Sequence, residues 1–96
     1  MKISQQKREK ISEQILVVLY SKSPQPLFTS HIAREIARDE EFIKNILLKL
    51  KDKNILTEIK KNSRGKQYKR RSRWKLTEQA YKIYKDHQLI NKGQST

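Results

Sequence analysis

The sequence predicts an α+β chain, mainly α with one small β-hairpin, and three observations lead there. Apolar residues recur at helical spacing in four separate segments. After Asn54 that period drops to two over a β-branched run, ILTEIK. Residues 60–75, KKNSRGKQYKRRSRWK, then hold nine Lys or Arg and no acid, with one of the two glycines inside and the only Trp near the end. Ile55, Leu56 and Ile59 precede this stretch, and Trp74, Leu76 and a capped helix follow it. Those flanks mark a folded hairpin rather than a disordered basic tail.

Taken in order, the first helix is expected from about Gln5 to Ser21, with Ser4 as its N-cap. Ile11, Ile15, Val18 and Leu19 form one apolar stripe. Leu16, Val17 and Tyr20 widen it, so burial on more than one side is expected. SKSPQP then stops the helix, because Pro24 and Pro26 lack the amide hydrogen and bias their neighbours to extended backbone. Leu27 and Phe28 are expected as a strand of one or two residues. In TSHIAREIARD, Thr29 or Ser30 is the expected cap of a short helix with Ile32, Ala33 and Ile36 inside. DEEFIKNILLKLKDKN opens with Asp39 as a cap, and Glu40 and Glu41 suit the positive end of the helix dipole. Ile43, Ile46, Leu47 and Leu50 are its core stripe, and Asn54 can end it in the left-handed conformation.

In the hairpin, ILTEIK is the outgoing strand, KNSRGK the turn with Gly65 free to take positive φ, and QYKRRSRWKL the return strand. Alternation puts Tyr68, Arg70, Ser72, Trp74 and Leu76 on one face and Lys69, Arg71, Arg73 and Lys75 on the other. Trp74 is expected in the core, which turns those four cations outward. Thr77 caps a last helix, TEQAYKIYKDHQ, with Ala80, Ile83, Tyr84 and His87 as expected inner residues. Residues 1–88 thus form a single domain, and the polar stretch 89–96 is expected to fray.

The net charge is +13 and uneven. Residues 1–58 carry eleven Lys or Arg against eight Asp or Glu, a net of +3. Residues 59–96 carry twelve against two, a net of +10. So large an excess favours a polyanionic partner. The chain has no Cys, which excludes disulfides, thiolate zinc sites, iron–sulfur clusters and thiol catalysis. His31 and His87 have no ligand spacing, there is no glycine-rich phosphate loop, and Ser30 with His31 lacks an orienting third group. A non-enzyme without cofactor or metal is therefore expected. The apolar run Ile15–Tyr20 is too short for a membrane span, so a cytoplasmic location, nucleoid-associated or free, is expected.

FTSHIAREIARDEEFIKNILLKLKDKNILTEIKK and the RRSRWKLTEQAYKIYK that follows resemble the small archaeal winged helix-turn-helix proteins grouped with MarR-like regulators. LKLKDKNIL is similar to the family's exit from its third helix, with Asn54 where Gly is commoner. WKLTEQAYKIY is similar to its exit from the wing. The likeness spans about residues 4 to 88. It implies the order helix, strand, helix, helix, strand, wing, strand, helix, and DNA binding with the third helix in the major groove and the wing along the backbone. Carried onto this sequence, it implies contacts from Lys44, Asn45 and Lys49 on the third helix, alongside Glu41 and Leu48. Thr29, Ser30 and His31 would lie near phosphate. The wing would be Lys60, Lys61, Asn62, Ser63, Arg64, Gly65 and Lys66. The chain departs from the pattern at Asp39-Glu40-Glu41, where carboxylates would meet the phosphate rails unless one accepts from a cytosine amine.

Duplex-DNA binding by a transcriptional regulator or chromatin-type protein is the leading reading. Lys69, Arg70, Arg71, Arg73 and Lys75 join the wing as phosphate contacts. RNA binding, with Tyr68 or Trp74 stacking on bases, is the alternative. A protein-interaction module presenting Phe42 and Leu48 is a further one. The terminal helices carry enough apolar surface, Tyr81 and Ile83 included, to allow a homodimer. The basic segment is a hairpin rather than an amphipathic helix, which argues against a membrane surface.

Overall fold

The computed structural model describes residues 5–62, 64–67 and 71–94, with side chains as far as residue 87. Its elements run α1 (Gln5–Lys22), β1 (Leu27–Phe28), α2 (Thr29–Ile36), α3 (Glu40–Asp52), β2 (Leu56–Ile59), β3 (Arg73–Leu76) and α4 (Glu78–Gln94). Ser4, Ser63, Tyr68, Lys69 and Arg70 lie outside the described residues.

α1 buries Ile11, Ile15 and Leu19 against α2, α3 and β3. Leu16, Val18 and Tyr20 pack half-buried beside that stripe and widen it as expected, whereas Val17 is 51% exposed. The far side of α1 lines an open cleft with α2, where Val17 and Val18 face Glu35 and Ile36. α2 starts differently from expectation. Phe28 is its N-cap residue and no side chain caps it, because the Thr29 hydroxyl is engaged elsewhere. α2 ends in a left-handed residue, Ala37 at φ 60, with the Arg38 amide donating to the Ala33 carbonyl at 3.0 Å. Asp39 then caps α3 as expected, its Oδ2 accepting from the Phe42 amide at 3.2 Å. Ile43, Ile46, Leu47 and Leu50 are all buried. Asn54, at φ 61, closes α3, and the Ile55 amide reaches back to the Leu50 carbonyl at 3.0 Å.

The sheet is antiparallel in the order β1-β3-β2. β3 is therefore central, with Leu27 opposite Trp74, and Leu56 opposite Leu76. Those four residues are buried, and Trp74 has no exposed surface at all. Among the described residues the regular ladder of the hairpin is shorter than QYKRRSRWKL predicts. It covers residues 73–76, and one isolated bridge joins Lys61 to Gln67 nearer the tip.

Thr77 caps α4, accepting from the Ala80 amide at 3.1 Å and donating to the Asn54 carbonyl at 3.0 Å. The helix runs to Gln94. It leans on the body through aromatic rings: Tyr20 stacks on Tyr81 at 5.2 Å and meets Tyr84 at 4.6 Å. Those contacts turn Ile83 and His87 outward, contrary to their expected inner position, and Ile83 is 62% exposed. Among the described residues no helix is long and apolar enough to cross a membrane.

Candidate nucleic-acid interface

The wing turn is organised by one side chain. Asn62 Oδ1 accepts from the amides of Arg64 and Lys66, both at 2.9 Å. The Asn62 amide donates to the Lys66 carbonyl at 2.8 Å, and Gly65 takes φ 81. An Asn three residues before a turn glycine is a legible turn signal, and here it braces the wing from inside. With the backbone donors consumed inside the turn, Lys60, Lys61, Arg64 and Lys66 are all exposed.

At the base of the wing, Arg71 and Lys75 are exposed, as alternation predicts. Arg73 differs. It is half-buried, and its guanidinium donates to the Lys61 carbonyl at 3.1 Å, fastening the two arms of the hairpin. Arg73 is thus a structural cation first. Lys69 and Arg70 lie outside the described residues.

The opposite face of the sheet holds an acid among the core residues. Glu58 stands across from Trp74, and its side chain is 6% exposed. Burial pushes its carboxyl up, but hydrogen bonds from Ser72 Oγ at 2.6 Å and Lys51 Nζ at 2.9 Å, with the Lys51 and Lys60 charges, outweigh that and hold it below the ordinary carboxylate range. The same hydrogen bond to Glu58, and its charge, raise Lys51. Lys51 is therefore spent inside the fold.

The helix pair meets the wing at a small polar cleft of about 50 Å³. Ser30 from α2, Glu40 and Lys44 from α3, and Arg71 and Ser72 from the wing base line it. Four of the expected contacts, Thr29, Ser30, Lys44 and Arg71, are thus brought together by folding, from positions 42 residues apart at the extremes. Glu40 lies among them, so one of the acids at the start of α3 is set against two cations. Asn45 is exposed on the same helix. Lys49 is exposed too, but it lines the groove between α1 and α3 with Arg8 and Glu9, away from the cleft. His31 is exposed and lies 3.6 Å from Glu35 one turn along α2.

Thr29 also has a partner within the fold. It is buried at the edge of the cleft, and its Oγ1 accepts the indole N–H of Trp74 at 2.8 Å. A hydroxyl so placed anchors the core. Phe42 and Leu48 depart from the exposed partner surface considered above. Both pack partly buried against the core, with the Arg8 guanidinium 5.8 Å above the Phe42 ring.

No family model matches the chain, and no curated protein matches it in sequence. Solved structures do share its fold. The Staphylococcus aureus MepR–DNA complex superposes with a TM-score of 0.75 at 21% identity, over 95% of this chain and 74% of that one. AF1382 from Archaeoglobus fulgidus gives 0.70 at 16% identity, over 92% and 91%. The PcaV transcriptional regulator of Streptomyces coelicolor, solved with its natural ligand, gives 0.61 at 17%, over 77% of this chain and 48% of that one. Against PcaV, and against a MepR mutant from a multidrug-resistant clinical isolate, of which 53% is matched, the chain spans about half the length of the regulator. Four helices around a three-stranded antiparallel sheet, with the basic turn between its last two strands, give this chain the winged helix-turn-helix fold of MarR-like regulators.

Proposed function

We propose that this protein binds duplex DNA as a transcriptional regulator, using the wing and the junction of α2 with α3 as one phosphate-contacting surface. The observation that carries the reading is the convergence of Ser30, Lys44 and Arg71 on one cleft beside the exposed lysines and arginine of the wing. Each cation that neutralises a phosphate releases condensed counterion, so several acting together bind strongly and with steep salt dependence. MepR, crystallised with DNA, has the same fold and supports the assignment. Glu40 and Glu41 at the start of α3 are repelled by the phosphates on either side of the major groove, which keeps that turn out of the groove and gives the wing the larger share of backbone contact. A cytoplasmic, DNA-associated location accompanies this function.

We further propose a homodimer through α1 and α4. A groove of about 390 Å³ runs between them, almost wholly apolar, with Leu16, Leu76, Ala80, Ile83 and Tyr84 on its walls. A second copy would cover Ile83, and a two-fold dimer suits two half-sites on a duplex. Sedimentation of the wild type against Ile83→Lys reads this directly. A monomeric wild type at micromolar concentration would overturn it.

The test of function is a fluorescence anisotropy titration with a random-sequence DNA duplex and a structured RNA, each at low and at physiological salt. Tighter binding to the duplex, persisting at the higher salt, is expected. Preference for the RNA would transfer the basic wing to a ribonucleoprotein role, and negligible affinity for both would overturn the nucleic-acid reading.

A further inference from the structure

We propose that Phe28 is a positioning residue that holds Arg71 at the mouth of the polar cleft, so that the wing and the helix pair grip one phosphate together; this rests on the DNA-binding reading above.

The register of the sheet leads to it. Phe28 stands opposite Arg73 in the β1–β3 pair, and directly opposed residues share a face. Arg71 is two residues from Arg73, so alternation returns it to that same outward face, diagonal to Phe28. The Thr29 amide donates to the Ser72 carbonyl at 3.3 Å, which carries the pairing of the two segments to the residue beside Arg71. The Arg71 Cζ then lies 5.6 Å from the centre of the Phe28 ring, within cation–π reach. Phe28 is half-buried and Arg71 is exposed. The ring is therefore the fixed member of the pair and the guanidinium the adjustable one.

Such a pair does what a free surface arginine does not. A long cationic side chain loses rotamer freedom when it is fixed on a ligand. A ring beneath the guanidinium takes part of that loss before the ligand arrives, while the N–H fork stays open at its edge for two phosphate oxygens. The surroundings select the ligand. The cleft is polar, and it offers the Ser30 hydroxyl and the Lys44 ammonium beside Arg71, with Glu40 as the one carboxylate on its walls. Two cations and a hydroxyl outweigh that carboxylate toward a backbone phosphate, and they come from three different elements. Arg71 so placed sets the distance between wing contacts and helix contacts.

The experiment is a double-mutant cycle on binding to a random-sequence duplex, read by anisotropy across a salt series. Binding by the wild type is read first; its absence sinks the DNA reading itself. With wild-type binding in hand, Arg71→Ala is expected to lower the salt slope by about one. Phe28→Leu keeps an apolar residue in β1 and is expected to weaken binding about two- to fivefold. The same change made in the Arg71→Ala background is expected to cost nothing more, and Phe28→Tyr to retain wild-type affinity. An equal loss from Phe28→Leu in both backgrounds, or no loss in either, overturns the positioning role and leaves DNA binding standing. A second measurement uses the folded wild type without DNA. The Phe28 ring current should move the Arg71 side-chain protons upfield in NMR spectra, and unshifted protons would overturn the proposal even if Phe28→Leu failed to fold.

Discussion

The indole of Trp74 donates to the Thr29 hydroxyl across 2.8 Å, joining residues 45 apart in the chain inside the core. One bond thus pins the first residue of α2 to the central strand of the sheet. Thr29→Val keeps the shape and removes the acceptor, leaving a buried N–H without its partner. It should cost about 1–3 kcal/mol. Denaturant unfolding followed by the fluorescence of this single Trp measures it. Well below the melting temperature, Thr29→Val should bind DNA as the wild type does; a weaker salt slope would place Thr29 in the phosphate-contacting set.

Glu58 makes stability depend on acid. Its carboxyl is held below the usual range in the folded state, so the stabilisation is present above the unfolded carboxylate value, about 4.3, and is lost as pH falls through the lower folded value. Lys51 runs the other way: its raised value gives stabilisation that is present below the ordinary lysine range and lost as pH climbs through the folded value. Lys51 is nearly half exposed, so water screens its share. Glu58→Gln should destabilise by about 1–2 kcal/mol at neutral pH and flatten the acid limb of the stability curve. An acid limb identical to that of the wild type would show that other carboxylates set it.

Ala37 ends α2 in a left-handed conformation that favours glycine. Ala37→Gly should therefore stabilise the protein by about 1 kcal/mol, relief of the Cβ clash exceeding the added chain entropy. Thermal unfolding checks this, and a lower melting temperature would count against the left-handed turn.

The wing lysines and arginine should act as charges alone. Replacing Lys61, Arg64 and Lys66 together with Gln should leave the melting temperature nearly unchanged, since Asn62 and not these side chains braces the turn. The salt slope of DNA binding should fall by about one for each residue that meets a phosphate. Lys82→Gln, on the exposed side of α4, is the control and should leave the slope alone.

Regular elements were legible because they rest on local rules. The stripe Ile43–Ile46–Leu47–Leu50, the caps at Asp39 and Thr77, and the left-handed Asn54 all follow from spacing and side-chain chemistry within a few residues. What escaped depends on partners far along the chain. Thr29 looked like a cap because it opens a helix, yet Trp74 claims its hydroxyl. Nothing local to Glu58 marks it out, yet register sets it opposite Trp74 on the inner face. Arg73 counted as one more outward cation until the Lys61 carbonyl captured it. Ile83 looked internal by helical spacing, but Tyr81 and Tyr84 turn α4 onto Tyr20 instead. The candidate site suffered in the same way, for the meeting of Ser30, Lys44 and Arg71 is a product of sheet order and not of any motif.

That sheet order also governs how the molecule comes to be. β3, the middle strand, is made last, and it must pair with β1, which is made before the helix pair. During synthesis α1, α2 and α3 can therefore meet one another, but their shared core lacks Trp74 until residues 73–76 leave the ribosome. Completing it requires the long closure that joins β3 to β1, which should slow folding relative to a plain helical bundle of this size. Substitutions in β3 should slow folding, whereas those at the wing tip should leave the folding rate untouched.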